Sequence, residues 1–472
     1  MILQLNSLIK KFPMNPKNFF LVGILFLLTQ ALFAKVYNVT DFGAVNDGKT
    51  INTGSIQKAI DQCTKDGGGT VLFSGGGKYM TGTIYLKDNV TLRIDNGTTL
   101  LGSNKYSDYT TDTHKNMYKN EPHMDRCFIF ARNAKSIAIE GNGIIDGNGN
   151  RADSIFVKER PMLMRFMNCN NIHLTDVNII NPAAWTSAWL YCDDISVTGL
   201  SIYSRVNWNG DGLDFDGCTN VRVSNCSFDN SDDCICLQTS RADKPCRDIV
   251  ISNCLFSTKW GGIRIGLLSR GDFNSVTVTN CTFRNIDDSG LKIQMNEGGE
   301  MKNMVFSNLV MENVPRPVFM TFCQQRACVD APMELAPMKA MHHFIFQNMI
   351  IDNSKLDKNS AFFLTGVPNH QIEDILISNI QFVVSGGGTK EDAAKTVKEY
   401  TPEVLGDWWP EFYLVGTLPA YGIYARHING LTVDNFSVKT LTPDTRPPVK
   451  LEDIQNLEFN GVNANGISVK NQ

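Results

Sequence analysis

Two short stretches place acidic side chains where a proton could be handed from one to another. NGDGLDFDGC, residues 209–218, carries Asp211 and Asp214, and SDDCICL, residues 231–237, carries Asp232 and Asp233. Carboxylates held close together disfavour each other's ionisation. At least one pKa then rises, leaving a protonated acid beside ionised bases. Hydrolysis of a glycosidic bond needs that division: one carboxylic acid protonates the leaving oxygen, and another carboxylate activates water. Asp is also a common turn residue, and for Asp214 a capping role stands beside the chemical one. Two adjacent carboxylates ahead of an apolar strand, as at Asp232–Asp233, have no comparable structural return. Calcium, which favours clustered oxygens, is the competing chemistry for the same side chains.

The elements that must position these residues are written in a repeat. VRVSNCSF (221–228), IVISNCLF (249–256), VTVTNCTF (276–283) and MVFSNLVM (304–311) share alternating apolar positions, a polar residue, an asparagine and renewed alternation. Asn225, Asn253, Asn280 and Asn308 are separated by 28, 27 and 28 positions. Period-two alternation marks strands with one buried face. Asn between two strands suits a one-residue bend, because it tolerates a left-handed backbone. A second family of segments interleaves with the first: GLDFDG (212–217), CICLQT (234–239), GIRIGL (262–267), GLKIQM (290–295) and PVFMTF (317–322). Each turn therefore carries about three short strands, and stacked turns pair each strand with its copies about 4.8 Å away. The expected fold is all-β, a right-handed parallel β-helix. A leucine-rich repeat would need regularly spaced leucines and, usually, one helix per repeat.

Aligning the second family on Leu213, Ile235, Ile263 and Leu291 makes Asp211, Asp233, Gly261 and Ser289 equivalent on successive turns. Asp214, Cys236, Arg264 and Lys292 line up one position beyond the apolar column and point outward from the same face. The three acids then share a furrow within two turns, with two cations on the next two. A lateral offset added to the rung spacing brings a pair of carboxyls towards the roughly 6.5–9.5 Å of inverting glycosidases. Arg264 and Lys292 could hold a uronate carboxylate beside the scissile bond.

With these motifs in view, the chain resembles glycoside hydrolase family 28, the polygalacturonase family. FGAVNDGKTINTGSIQKAIDQC (42–63), GGGTV (67–71), GIIDGNG (143–149), NPAAWTSAW (181–189) and LPAYGIYARHI (418–428) extend the similarity over nearly the whole chain. NGDGLDFDGC resembles the family's Asn-x-Asp-Gly motif, and SDDCICL its Asp-Asp motif. The resemblance implies that Asp232 is the general acid and that Asp211 and Asp233 position and activate water. It implies inverting hydrolysis of an α-linked pectic polysaccharide or oligogalacturonide without a cofactor or metal. Two motifs depart. WGGIRIG (260–266) puts Gly261 where the family usually has histidine, and Lys292-Ile293-Gln294 stands for its Arg-Ile-Lys. Arg264 is a candidate replacement cation, with a planar fork of donors suited to carboxylates. These departures favour a pectic substrate other than smooth homogalacturonan, a rhamnogalacturonan-type hydrolase, or an exo-acting galacturonidase. A calcium-dependent pectate lyase and a non-catalytic glycan-binding β-helix are the alternatives of other classes.

The substrate-binding candidates are Asn209, Asp214, Arg264, Lys292, Gln294, Trp260 and Tyr424. Trp185, Trp189 and Arg426 are further residues that either line the groove or pack, and Trp408 and Trp409 lie in a segment, 389–411, that breaks the repeat. This segment reads as a short helix and loop inserted over one face. Residues 1–34 hold Lys10, Lys11 and Lys17 ahead of an apolar run and no acidic residue, the pattern of a signal peptide. The domain is then 35–472 and the protein exported, with no membrane partner after cleavage. Loss of the three lysines lowers the formal charge from −4 to −7, a balance unlike that of nucleic-acid binders. A monomer is expected. The 13 cysteines lack zinc-ligand spacing and read mostly as small buried hydrophobes.

Overall fold

The computed structural model describes residues 35–115, 124–149, 159–322, 337–405 and 410–470; the expected signal peptide, Trp408 and Trp409 lie outside them. The described chain is a stack of parallel rungs, and nearly every strand pairs with copies one turn before and after it. In the central rungs each turn has three strands, as in Leu213–Asp216, Thr219–Ser224 and Ser227–Asn230.

The bends follow from the repeated asparagines. Asn225, Asn253, Asn280 and Asn308 all have φ near +56°, a region that costs other L-residues roughly 1–2 kcal/mol. The side chains then stack along the axis: Asn348 Nδ2 donates to Asn308 Oδ1 at 3.1 Å, Asn379 to Asn348 at 3.1 Å, and Asn435 to Asn379 at 2.8 Å. Inside, the alternating residues form one continuous apolar core along the coil. Cys226, Cys254 and Cys281 sit just beyond the asparagines, each thiol donating to the carbonyl two residues earlier at 3.2 Å. All eleven described cysteines are buried and unbridged.

Helix α1, Thr53–Lys65, packs its apolar stripe of Ile56, Ala59, Ile60 and Cys63 against the first rungs. The face carrying the acidic motifs is built from β1 (Leu213–Asp216), β2 (Ile235–Thr239), β3 (Gly261–Ser269), β4 (Ser289–Met295) and β5 (Arg316–Phe322). The inserted segment is longer than 389–411, and its described residues form not one helix but three single turns: Lys390–Ala393, Pro402–Leu405 and Phe412–Val415. The repeat stops at Val384 and resumes at Ile423. Its segments are too short for a helix to stand alone, so they depend on docking to the β-helix.

Candidate active site

The register of the face is the one the apolar alignment requires. Leu213 pairs with Ile235, Ile235 with Ile263 and Ile263 with Leu291. The outward column beside it runs Asp214, Cys236, Arg264, Lys292, and then continues through Phe319, Phe363 and Tyr424. Chemistry and packing thus share one column and divide at Lys292.

Asp211 and Asp233 end on adjacent rungs, immediately before β1 and β2. One oxygen from each and the Cys236 sulfur lie within 4.8 Å of one another. A water hydrogen-bonded to both oxygens at about 2.8 Å each would span such a gap. Both oxygens of Asp233 are used as acceptors: Gly261 N donates to Oδ1 at 2.8 Å and the Arg264 guanidinium to Oδ2 at 3.0 Å. Asp232 differs. Its Oδ1 accepts from the Asp233 amide at 2.9 Å, and the residue is partly exposed whereas Asp233 is 1% exposed. Desolvation, then the charge of Asp233, pushes the Asp232 carboxyl up to about 7. Neighbouring carboxyls are thus held differently, Asp233 by donors on both oxygens and Asp232 by a single amide. Asp214 is buried, and desolvation raises its pKa well above the carboxylate range.

The cations of the next rungs are already paired. Arg264 bridges Asp233 and Glu411, its second guanidinium nitrogen reaching Glu411 Oε1 at 3.0 Å. Lys292 Nζ lies 2.5 Å from Asp288 and 2.6 Å from Glu411 Oε2. Burial works against both cations, and these carboxylates more than restore the charged forms, lifting both pKa values. Gln294 Nε2 donates to the Pro410 carbonyl. The expectation that Arg264, Lys292 and Gln294 present free donors to a substrate carboxylate is therefore corrected: in this structure they hold the inserted segment. Glu411 and Asp288 were missed as site residues. Asp288 stands where Asp232 stands two turns earlier, and its Asp-Asp-Ser-Gly context carried the signal. Glu411 is 147 positions from Arg264, in a segment without repeat periodicity, and no sequence signal joins the two.

The sequence profile of glycosyl hydrolases family 28 matches residues 74–401. The chain belongs to this family. It is 26% identical over 371 residues to a Vitis vinifera protein named "Probable polygalacturonase", covering 73% of each chain. It is likewise 26% identical over 417 residues to the exo-poly-alpha-D-galacturonosidase of Dickeya chrysanthemi, covering 75% of this chain and 68% of that one. Among solved structures, the family 28 exopolygalacturonase of Yersinia enterocolitica superposes with a TM-score of 0.65 at 20% identity, covering 91% of this chain and 78% of that one. The protein is a glycoside hydrolase on a parallel β-helix.

Against the motifs of family 28, the departure at Gly261 acquires a physical reason. A Cβ added there would lie less than 3.0 Å from Asp233 Oδ1, while φ places no bar on a side chain. The missing side chain leaves room for the Asp233 carboxylate to dock on the Gly261 amide and the Arg264 fork.

The remaining candidates sort by what they touch. Asn209, at φ +52°, turns its Oδ1 to Arg160 at 2.8 Å, and Arg160 lies over the Trp208 ring at 4.9 Å. Trp260 is partly exposed, at the position equivalent to Asp232 on the next turn, with Lys292 Nζ 4.8 Å from its ring centroid and Tyr413 6.2 Å away. Tyr424 is corrected from groove to core. It is fully buried, stacks on Phe363 at 5.8 Å, and gives its hydroxyl to Glu452 at 2.6 Å. Its column is right, but Val397, Tyr400, Val415 and Leu418 of the insertion cover that end. Trp189 lies inside the coil between Phe166 and Phe215, and Trp185 is buried in a second apolar cluster. Arg426 is neither solvated nor in the groove: it donates to the carbonyls of Val397 and Lys398 and so helps seat the insertion.

Proposed function

We propose that this family 28 enzyme hydrolyses α-glycosidic bonds of a pectic polysaccharide or oligosaccharide with inversion at the anomeric carbon. Asp232 is the acid that protonates the leaving oxygen. Asp211 and Asp233 hold the attacking water between them and take up its proton, the roles that the family motifs imply. The observation that carries this reading is the contrast within one dipeptide: Asp232 is pushed up to about 7, while both oxygens of Asp233 accept from fixed donors. An acid with a pKa near the operating pH is the effective kind. An acceptor-only carboxylate one residue away has no proton to compete with it. Trp260, partly exposed one turn after Asp232, offers a face on which a sugar ring can stack. A pectic substrate is supported by the names of the relatives, and export by the signal-peptide pattern of residues 1–34. No helix among the described residues is long and apolar enough to cross a membrane.

The test is proton NMR of the first products from pectic oligosaccharides. Inversion gives the β-anomer initially from an α-linked substrate; an initial α-anomer removes the two-carboxylate water mechanism. The same digests run in EDTA separate hydrolysis from metal-dependent elimination, since elimination leaves an unsaturated uronate that absorbs in the ultraviolet and hydrolysis does not.

A further inference from the structure

The cradle that residue types alone would assign to a sugar carboxylate is filled by one from the chain itself. Glu411 Oε1 meets Arg264 at 3.0 Å and Glu411 Oε2 meets Lys292 at 2.6 Å, so the two cations grip opposite oxygens of a single carboxylate. Glu411 is 1% exposed and Lys292 fully buried, so water does not readily exchange with the pair. Three contacts fix the carboxylate in place. Gln294 Nε2 donates to the preceding Pro410 carbonyl, Tyr400 donates to the Glu411 carbonyl at 3.1 Å, and the Phe412 ring lies 4.6 Å from the Arg316 guanidinium. Asp233 takes the remaining arm of Arg264, and Asp288 takes Lys292 from the other side. Two cations therefore face three carboxylates. The rung next to the scissile bond has no positive charge left for an incoming anion.

We infer that Glu411 determines specificity by making the Arg264–Lys292 rung a subsite for an uncharged sugar residue, either a neutral sugar or an esterified uronate, and not for a free uronate. A free carboxylate placed there would compete with Glu411 for the same donors and meet its charge at close range. An uncharged hydroxymethyl, methyl or ester group meets no such opposition. The inference rests on the pectic hydrolase reading, and it narrows the substrate to chains in which neutral or esterified residues occur at this position.

The experiment compares kcat/KM of wild type and Glu411→Ala on trigalacturonate, its trimethyl ester, and a rhamnogalacturonan oligosaccharide of matched length. Wild type should favour the ester or the rhamnogalacturonan oligomer over trigalacturonate by at least tenfold, and whichever wins identifies the source of the neutral group. Glu411→Ala should shrink that preference at least tenfold, through a lower KM for trigalacturonate. A wild-type preference for trigalacturonate, or a ratio unchanged in the variant, overturns the inference while leaving pectic hydrolysis standing. If Glu411→Ala does not fold, the wild-type ratio decides alone. If wild type cleaves none of the three, the pectic reading fails, and titration calorimetry with galacturonate and galactose decides the inference separately. Galactose bound as well as or better than galacturonate supports it; galacturonate bound at least tenfold more tightly overturns it.

Discussion

Gly261→Ala replaces one hydrogen by a methyl group and should disable Asp233, the carboxylate proposed to activate water. The backbone of Gly261 is not in the left-handed region, so alanine is conformationally acceptable there and the effect is local. Its Cβ would stand under 3.0 Å from Asp233 Oδ1, whereas ordinary contact begins at 3.4 Å. Asp233 must retreat by roughly 0.5–1 Å to reach normal van der Waals separation. That movement lengthens the 2.8 Å bond from Gly261 N and the 3.0 Å bond from Arg264 together, since both end on the same carboxylate. It also shifts Asp233 relative to Asp211 on the preceding turn, its proposed partner across the water position. A misplacement of about 1 Å at a reacting group can cost around 100-fold in rate, so kcat should fall roughly 30–100-fold with KM nearly unchanged. The crowding itself should destabilise by about 1–3 kcal/mol, a modest loss in Tm. The assay is the initial rate of reducing-end release, with thermal unfolding measured in parallel. A variant that keeps kcat within threefold of wild type would refute the idea that Asp233 is held in register by these two donors.

Asp233→Asn should lower kcat and also destabilise the fold by about 3 kcal/mol, because it removes one of the two anions from a buried guanidinium; calorimetry of the variant checks this. The pH profile should have an alkaline limb at about 7, the raised pKa of Asp232, with kcat/KM falling tenfold per pH unit above it. Stability has the same sign. The folded pKa exceeds the ordinary carboxylate value, so the contribution of protonated Asp232 and Asp214 is complete below about pH 4 and is lost as pH rises through the raised values. Asp232→Asn should accordingly raise Tm relative to wild type at pH 8 and not at pH 4. Asn308→Ala, at φ +56°, should cost about 1–2 kcal/mol without changing kcat, as the bend lies away from the acids.

The coil and its register were legible in the sequence because the physics is local and repeated. A left-handed bend every turn selects Asn225, Asn253, Asn280 and Asn308, and period-two alternation fixes which side chains face in. Once the apolar column of Leu213, Ile235, Ile263 and Leu291 is aligned, Asp211 and Asp233 fall side by side without further information. What could not be read was the state of the cations. Arg264 and Lys292 look the same in sequence whether they face solvent, substrate or another part of the chain. Their partner Glu411 arrives from a segment with no repeat pattern, brought there by Gln294, Arg316, Tyr400 and the aromatic stack of Phe319, Phe363 and Tyr424. Tyr424 failed as a groove residue for the same reason: the register gave its direction but not what lay above it. Gly261 read as a loss in sequence and, in three dimensions, is the opening through which Asp233 reaches a backbone donor.

The measurement that bears most directly on the whole account is the turnover of Asp232→Asn on the best pectic substrate. Asparagine keeps the size of the side chain and its acceptor for the Asp233 amide, but it cannot deliver a proton. General acid catalysis is worth about 10²–10⁴-fold, so kcat should drop by at least two orders of magnitude, with Tm near pH 5 within a degree or two of wild type. A folded Asp232→Asn enzyme that turns over within threefold of the wild-type rate would contradict the assignment of the acid and, with it, the division of labour among these carboxylates.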